Sequence, residues 1–187
     1  MIKFNNVSFS YGEKTVLNNL NFEINTGDRI CLFGDSGIGK TTVLRLILGL
    51  EKPQKGDITT PTNLKPSVVF QEDRLLPFKT VLENITLMGA TKEKALTCLN
   101  ALGLGDEGKS LPNELSGGMC RRVAIARALS LDFDYLILDE PFTGLDEENI
   151  LSAINLINEI LGERPLILVT HSKKEAELLN CKFKEIL

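Results

Sequence analysis

The sequence predicts an α/β fold with a mostly parallel sheet, an N-terminal antiparallel β-subdomain and an inserted α-helical subdomain. Two observations predict the antiparallel β-subdomain and the parallel sheet. The first residues alternate between apolar and polar side chains, as half-buried antiparallel strands do. Farther along, four short apolar runs alternate with helical patterns, which is typical of parallel strands buried on both faces. These runs are RICLF, SVVF, YLILD and PLILVT.

The N-terminal alternation covers two segments, IKFNNVSFSY and VLNNLNFEI. Ile2 and Phe4 alternate with polar residues in the first segment, and Phe22 and Ile24 do so in the second. A period of two places these apolar side chains on one face of a sheet. We therefore expect antiparallel strands before the first buried run.

Two helical patterns flank the buried runs. In GKTTVLRLILGL the apolar residues recur at helical spacing, and Gly49 with Pro53 beyond it predicts the end of the helix. The segment NILSAINLINEIL places five apolar side chains on one predicted stripe. The residues of that stripe are Ile150, Leu151, Ile154, Ile157 and Leu161.

The stretch from about residue 72 to residue 130 interrupts the alternation of strands and helices. Within it, TVLENITLM, TKEKALTCLNALGL and GGMCRRVAIARAL all have the apolar spacing of helices. We interpret this stretch as a helical subdomain inserted between two sheet strands. The 187 residues are then expected to form one domain, 1–187, with no C-terminal regulatory domain.

The composition argues against several classes of protein. A net charge of −4 disfavours a general nucleic-acid surface, which usually carries a basic excess. The four cysteines include no CxxC pair, so we expect reduced thiols that pack in the interior. No stretch approaches the roughly 20 apolar residues that span a bilayer. If the protein works at a membrane, we expect another chain to cross it.

The segment GDSGIGKTT, residues 34–42, follows the RICLF run and opens an apolar-faced helix. It matches the pattern G-x-x-x-x-G-K-[ST], in which backbone N–H groups close around phosphates, a lysine reaches the β- and γ-phosphates and a hydroxyl binds Mg²⁺. A chance match in a glycine turn is the alternative, but the flanking strand and helix favour a P-loop NTPase core. The predicted ATP-binding residues here are Gly34, Asp35, Ser36, Gly37, Ile38, Gly39, Lys40, Thr41 and Thr42.

Polar residues follow the other three buried runs. Gln71 follows SVVF, Asp139 and Glu140 follow YLIL, and His171, the only histidine, follows PLILVT. Open parallel sheets bind ligands at the carboxyl ends of their strands, so we expect these residues to converge on one site. Asp139 suits the shell of a Mg²⁺ ion, and Glu140 suits polarising an attacking water. The alternatives are a solvated acidic turn, a structural histidine and a glutamine that caps a loop.

A second candidate anion site lies in NELSGGMCRR, residues 113–122. A serine and two glycines run there into the predicted start of a helix, where backbone N–H groups attract anions. In contrast to GDSGIGKTT, the core SGGM has no lysine that would make a self-sufficient phosphate site. Two phosphate cradles in one small domain need an explanation.

The segments GDSGIGKT, VVFQEDRLLP, ELSGGM, YLILDEPFTGLD and LVTHS occur in this order along the chain. Together they resemble the nucleotide-binding subunit of an ABC transporter, and QEDRLLPFKTVLENI resembles the nitrate, sulfonate and taurine importer type. The resemblance implies an ATPase that energises a membrane transporter. Import is favoured because the chain carries no fused membrane spans.

The resemblance also implies that two subunits pair head to tail. Each ATP then lies between the Walker A loop of one subunit, GDSGIGKT, and the signature loop of the other, ELSGGM. This arrangement accounts for the second cradle. The signature residues that would hold the ATP of the other copy are Ser116, Gly117, Gly118 and Met119.

Further roles follow from the resemblance by position. Tyr11 is expected to stack on adenine with Val16 beside it, although Tyr11 could also be an ordinary edge aromatic. Gln71 is expected to touch Mg²⁺ and the attacking water. Glu140 would be the catalytic carboxylate, and His171 would contact the γ-phosphate.

The resemblance assigns the Mg²⁺ site to Thr41, Gln71 and Asp139, and places Asp146 at the dimer seam. The segment EDRLLPFKTVLENI would face the coupling helix of the transmembrane permease subunits, with a solvated loop as the alternative. The expected location is therefore cytoplasmic, peripheral on the inner face of the cell membrane.

One departure from the family pattern concerns Met119, which stands where the common signature has glutamine. The Ser-Gly-Gly core is intact, so we expect activity, with a weaker closure of the dimer. Two alternative functions are a soluble ABC ATPase that acts on nucleic acid or ribosomes, and an inactive nucleotide-binding switch. The negative charge and the single ATPase domain disfavour the first, and the presence of Glu140 and His171 disfavours the second.

Overall fold

A computed structural model describes residues 2–35, 37–61 and 63–186 of the chain. The chain divides into two compact units. The first comprises Met1–Pro66, Asp134–Ile137 and Glu163–Leu187. The second comprises Ser67–Phe133 and Leu138–Gly162.

The first unit contains a three-stranded antiparallel sheet in the order β2-β1-β4. Strands β1 and β2 confirm the N-terminal prediction, and Phe4 pairs with Phe22 with stacked rings 4.5 Å apart. Strand β4 has the polar sequence KGDIT and shows no apolar alternation, so the sequence did not reveal it. The bounds are β1 Ile2–Tyr11, β2 Lys14–Ile24 and β4 Lys55–Thr59.

The second sheet has five strands in the order β5-β6-β7-β3-β8. The four apolar runs are strands, as predicted, and β3 pairs in parallel with both β7 and β8. Strand β8 was not predicted, because KFKE is a charged edge strand with little apolar character. The bounds are β3 Arg29–Phe33, β5 Pro66–Val69, β6 Tyr135–Asp139, β7 Leu166–Val169 and β8 Lys182–Glu185.

Six α-helices lie in the described part of the chain, and five of them begin at a serine, threonine or aspartate whose side chain accepts from the first turn. The three helices predicted between residues 72 and 130 are present. The bounds are α1 Lys40–Ile47, α2 Val81–Thr86, α3 Lys92–Ala101, α4 Gly117–Leu129, α5 Glu147–Leu161 and α6 Lys173–Leu178.

One packing prediction was wrong. Leu151 was placed on the buried stripe of α5, but it is 45% exposed. It follows Ile150 by one residue and is therefore rotated by about 100° from it around the helix. Ala153 and Leu156 are buried instead. At the end of α1, Leu48 is the C-cap and Gly49 follows in the left-handed region.

None of the helices in the described residues is long and apolar enough to cross a membrane.

Candidate functional site

The loop between β3 and α1, residues 34–39 and here called the phosphate loop, has the backbone of a phosphate cradle. Gly34, Gly37 and Gly39 all have positive φ angles, of 146°, 83° and 112°, which side-chain-bearing residues rarely adopt. Gly39 is the N-cap of α1 and offers no side chain to the first turn, which also carries no acidic residue. The loop therefore directs an anion-attracting helix start toward its own interior. The predicted residue Ser36 lies outside the described residues.

Lys40 is the first residue of α1 and is only 6% exposed. Its Nζ donates to the carbonyl oxygens of Gly34 at 2.6 Å and Asp35 at 3.0 Å. Thr41, the next residue, is exposed, whereas Thr42 is buried. The ammonium group is therefore held inside the loop by uncharged acceptors.

Strand β2 packs directly against this loop. A Cβ atom at Gly39 would lie 2.9 Å from Val16 Cγ1 and 2.9 Å from Leu17 Cδ2. Val16 thus lies beside the loop, where the resemblance placed it near a nucleotide. Tyr11 ends β1, is 45% exposed and makes an edge-to-face contact with Phe9. Its stacking on adenine stays a prediction.

His171 follows β7 at the same sheet edge as the phosphate loop. Leu32 of β3 pairs in parallel with Val169 of β7, so the two strands end side by side within the first unit. A short network fixes the turn around His171. Thr170 Oγ1 accepts from the Ser172 amide at 3.1 Å and bonds to the Glu175 carboxyl group, and burial raises the pKa of Glu175.

Two carboxylates of the second unit lie at the carboxyl end of β6. Asp139 is the last residue of the strand and is 6% exposed. Glu140 follows with φ 49°, a left-handed backbone conformation that is unusual for a glutamate. Backbone strain of this kind persists where the surrounding structure holds it and concentrates at functional sites.

A buried arginine of α4 holds the turn at Glu140 and the loop that contains Gln71. Arg121 donates to the carbonyl oxygens of Glu140 and Pro141, and on its other side to those of Phe70 and Gln71. Sequence reasoning missed this residue, although an arginine pair inside an otherwise apolar helix start was a visible signal. Gln71 itself is exposed.

The predicted second cradle is the start of α4, residues 116–119, here called the signature loop. Ser116 is the N-cap, and its Oγ accepts from the Met119 amide at 3.2 Å. Ser116 and Gly117 are exposed, and no acidic residue lies in the first turn. A Cβ atom at Gly118 would lie 3.4 Å from the Gly144 carbonyl oxygen, so the loop packs closely on the segment before α5.

Asp146, predicted at a dimer seam, is the N-cap of α5. Its Oδ1 accepts from the Asn149 amide at 2.9 Å. This backbone hydrogen bond, together with the Asn149 side chain and the positive charge of Arg122, lowers the pKa of Asp146. Asp146 therefore caps helix α5 within its own chain. Its role at a dimer seam stays a prediction.

Four exposed apolar residues of the second unit, here called the apolar patch, lie within or just after the segment 72–85 that the resemblance assigned to a permease. Phe78 is 90% exposed, and three further residues of the patch are about half exposed. Buried Asn84 fixes the underlying loop, because it accepts from the Leu76 amide and donates to three carbonyl oxygens of the loop. The patch, so defined, comprises Leu76, Phe78, Leu87 and Met88.

The structure thus brings together two groups of predicted residues, each within one unit. The first unit holds Tyr11, Val16, the phosphate loop and His171. The second unit holds Gln71, Asp139, Glu140, the signature loop and Asp146. The predicted convergence of all of them on one site stays a prediction.

The donor types fit a Mg²⁺ ion. Thr41 offers a hydroxyl, Gln71 an amide oxygen and Asp139 a carboxylate, all of them the hard oxygen ligands that Mg²⁺ prefers. No group of three or more His, Cys, Asp or Glu side chains suited to a metal occurs among the described residues. The Mg²⁺ sites of nucleotide enzymes usually have one or two carboxylates and complete their shell with phosphates and water.

Known proteins share both the sequence and the fold. The family model described as ABC transporter matches residues 17–143. The aliphatic sulfonates import ATP-binding protein SsuB 3 of Rhodococcus jostii is 41% identical over 181 residues, covering 94% of this chain and 67% of that protein. The thiamine import ATP-binding protein ThiQ of Haemophilus influenzae is 38% identical over 195 residues, covering 94% of this chain and 89% of that protein.

A solved bacterial ABC transporter cassette, MJ0796, has the same fold. Its dimeric structure matches with a TM-score of 0.87 and 31% identity, covering 99% of this chain and 94% of that chain. A second dimeric structure of the same cassette, in a post-hydrolysis state with ADP and Pi, matches with a TM-score of 0.84 and 31% identity, covering 95% and 91%. The α/β fold predicted from the sequence and the resemblance to importer ATPases are both confirmed.

Proposed function

Because this chain belongs to the ABC transporter family of ATP-binding proteins, we propose that it is the ATPase subunit of an importer. In this function two copies pair head to tail around ATP, and hydrolysis releases them. The observation that carries the proposal is the pair of anion-attracting helix starts, at Gly39 and Ser116, of which only the first is followed by a lysine. The alternative function on nucleic acid or ribosomes is not favoured by these relatives.

The phosphate loop binds the triphosphate of ATP. Lys40 is held in the loop by two neutral carbonyl groups. Phosphate oxygens are charged acceptors and form stronger hydrogen bonds with an ammonium group. Lys40 can therefore exchange its carbonyl partners for the β- and γ-phosphates, while the N–H groups at the start of α1 receive the remaining oxygens. Tyr11 and Val16 hold the adenine base.

Hydrolysis uses polar groups at strand ends. Glu140 accepts a proton from the attacking water, Gln71 orients that water and His171 donates to the γ-phosphate. The water oxygen forms a bond to the γ-phosphorus as the bond to the ADP oxygen breaks, with little covalent chemistry left to the protein. Thr41, Gln71 and Asp139 would hold Mg²⁺, which when bound would supply positive charge that offsets the charge of the phosphates.

The signature loop completes the site of the second copy. Ser116 and Gly117 are exposed at the start of a helix of 13 residues. Their backbone N–H groups and the helix dipole suit a γ-phosphate brought by another molecule. Because the loop has no lysine, it contributes to a site only when a phosphate loop faces it.

The apolar patch docks the permease. Phe78 is 90% exposed, three other residues of the patch are about half exposed, and Asn84 holds the loop of Phe78 in place. A preformed apolar contact of this kind suits a short helix of a transmembrane subunit. The chain then works at the inner face of the cell membrane.

Aliphatic sulfonates are the cargo class that we propose first, because several relatives at about 40% identity are named for their import. Thiamine is the second candidate, since a thiamine import protein is nearly as similar. Uptake assays with each compound, in cells with and without this ATPase, separate the two. Sulfonate uptake that persists without this ATPase would remove the first candidate.

The function itself is tested with Glu140→Gln. Without the catalytic carboxylate, ATP binds but is not hydrolysed, so the closed pair accumulates. The solution mass, measured by light scattering with Mg²⁺, should double with ATP and stay monomeric without it. Ser116→Arg in the same background should abolish the doubling. A monomer at saturating, demonstrably bound ATP would overturn pairing of two identical copies.

A further inference from the structure

Helix α4 carries three arginines, and Arg121 is the buried one, at 3% exposure. No catalytic or binding role has been given to it so far. Its guanidinium group lies between two backbone segments of the second unit. These are the Glu140 turn, residues 139–141, and the Gln71 loop, residues 70–74.

On one side, Arg121 bonds to every carbonyl oxygen of the Glu140 turn. Nη2 donates to Asp139 at 3.1 Å and to Glu140, and Nε donates to Pro141 at 2.8 Å. On the other side, Nη1 donates within the Gln71 loop. Its acceptors are the carbonyl oxygens of Phe70 at 2.6 Å and Gln71 at 3.2 Å, and Asp73 Oδ1 at 3.0 Å.

This arrangement uses the full donor set of a guanidinium group, which has five N–H bonds in one rigid plane. A lysine has a single nitrogen and cannot reach both segments at once. The two segments are therefore fixed relative to each other through one planar side chain. Asp73, whose side chain is 28% exposed, supplies the opposite charge beside the 4% exposed arginine side chain.

The bond to the Glu140 carbonyl bears on the strained backbone of that residue. A non-glycine residue in the left-handed region costs free energy relative to an ordinary conformation. The three bonds from Arg121 to the turn offset this cost and fix the direction in which the Glu140 side chain leaves the backbone. The same group fixes the start of the loop from which Gln71 extends.

We propose that Arg121 is a positioning residue for ATP hydrolysis. It fixes the position of the Glu140 turn relative to the Gln71 loop. This inference rests on the proposed function of the chain as an ATPase with Glu140 as its catalytic carboxylate. Arg121 acts through these backbone segments and does not touch the nucleotide.

Arg127 is a matched control on the same helix. It donates to the carbonyl oxygens of Asp73 at 2.7 Å and Arg74 at 2.9 Å, so it holds the Gln71 loop. Among the described residues, both of these acceptors belong to the Gln71 loop and neither belongs to the Glu140 turn. Comparing the two arginines therefore separates the link between the segments from support of the loop alone.

The test measures steady-state ATPase kinetics, ATP affinity and the thermal midpoint of Arg121→Gln, Arg121→Lys and Arg127→Gln. Displacement of reacting groups by about 1 Å can cost on the order of 100-fold in rate. We expect kcat of both Arg121 variants to fall at least about tenfold, with KM and the ATP dissociation constant within about threefold of wild type. Arg127→Gln should keep kcat within about threefold.

The proposal is overturned if folded Arg121→Gln and Arg121→Lys keep wild-type kcat, or if Arg127→Gln loses as much kcat as they do. If the Arg121 variants fail to fold, Asp73→Ala decides the matter, because it removes only the partly exposed side chain that accepts from Arg121 Nη1. It should lower kcat with unchanged ATP affinity, and an unchanged kcat would then overturn the proposal.

Failure of the proposed function gives a different result. In that case wild type would hydrolyse no ATP, or Glu140→Gln would hydrolyse it as fast as wild type. If the ATPase rate falls in Glu140→Gln but not in the Arg121 variants, the result contradicts this inference and leaves the proposed function intact.

Discussion

The phosphate loop and the signature loop are both glycine-containing helix starts, yet they hold their backbone donors in different ways. At α1, the N-cap is Gly39, no side chain caps the first turn, and Lys40 is 6% exposed between two loop carbonyl groups. At α4, the Ser116 hydroxyl caps the Met119 amide, and the loop is open to solvent. The first loop contains its own cation, whereas the second offers only dipoles.

This difference explains how two anion sites in one chain can have separate roles. An ammonium group at the centre of a glycine loop makes a complete phosphate site. A capped helix start without a cation attracts an anion only weakly, by about 0.3–1 kcal/mol when exposed. The second loop is therefore suited to recognise a phosphate that another copy already holds.

The largest expected effect comes from Lys40→Ala. Removing a charge-assisted pair costs about 1.5–3 kcal/mol, so ATP affinity should fall by about tenfold to 100-fold. Calorimetric titration with ATP and Mg²⁺ measures this change. Ser116→Ala is the control for the other loop and should leave the ATP affinity of the monomer unchanged. Equal losses in the two variants would contradict the comparison.

The next effect concerns dimerisation. In the Glu140→Gln background, Ser116→Arg places a long side chain over the exposed start of α4 and should weaken the ATP-dependent pair at least about tenfold. Equilibrium sedimentation over a range of protein concentrations gives the dissociation constant. Monomeric ATP affinity should be unaffected, since the phosphate loop is unchanged. A pair of normal strength would show that the signature loop lies outside the interface.

A smaller effect sharpens the role of Met119. Its amide donates to Ser116 Oγ, and substitution of the side chain leaves this bond in place. Met119→Gln restores polar groups, and one additional hydrogen bond is worth about 1 kcal/mol. The dissociation constant of the Glu140→Gln pair should therefore fall about fivefold. Met119→Leu serves as the apolar control, and equal tightening by both variants would exclude a polar contribution.

The strands differ in how far the sequence predicts them. The strands β3, β5, β6 and β7 were predictable because strands buried on both faces must be apolar throughout. Strands β4 and β8 were missed because their sequences, KGDIT and KFKE, have little apolar character.

The same contrast holds within the candidate site. Lys40 and Ser116 belong to short patterns whose chemistry requires particular residue types at fixed spacing. Arg121 was missed because five of its six acceptors are backbone carbonyl groups, which have no residue identity in a sequence. Leu151 was misplaced because two adjacent apolar residues, Ile150 and Leu151, lie about 100° apart around a helix, and the sequence does not show which side faces the interior.

The smallest expected effect lies beside the phosphate loop, at the turn that carries His171. Burial raises the pKa of Glu175, so the folded state disfavours its carboxylate. The stability from this group is therefore present at low pH and is lost as the pH rises through the raised pKa. Glu175→Gln removes the charge and should raise the thermal midpoint at pH 7 by at most about 2 °C, because the group is half exposed.

The gain from Glu175→Gln should shrink as the pH falls through the raised pKa, where wild-type Glu175 becomes neutral. Calorimetry of both proteins across the acid range measures this dependence. Glu177→Gln is the matched control, since it removes the same charge from an exposed position of α6. A gain that is independent of pH, or equal in the two variants, would contradict the assignment of the gain to the burial of the Glu175 carboxylate. No gain at pH 7 would show instead that the hydrogen bond from Thr170 compensates the burial of Glu175 in the turn that carries His171.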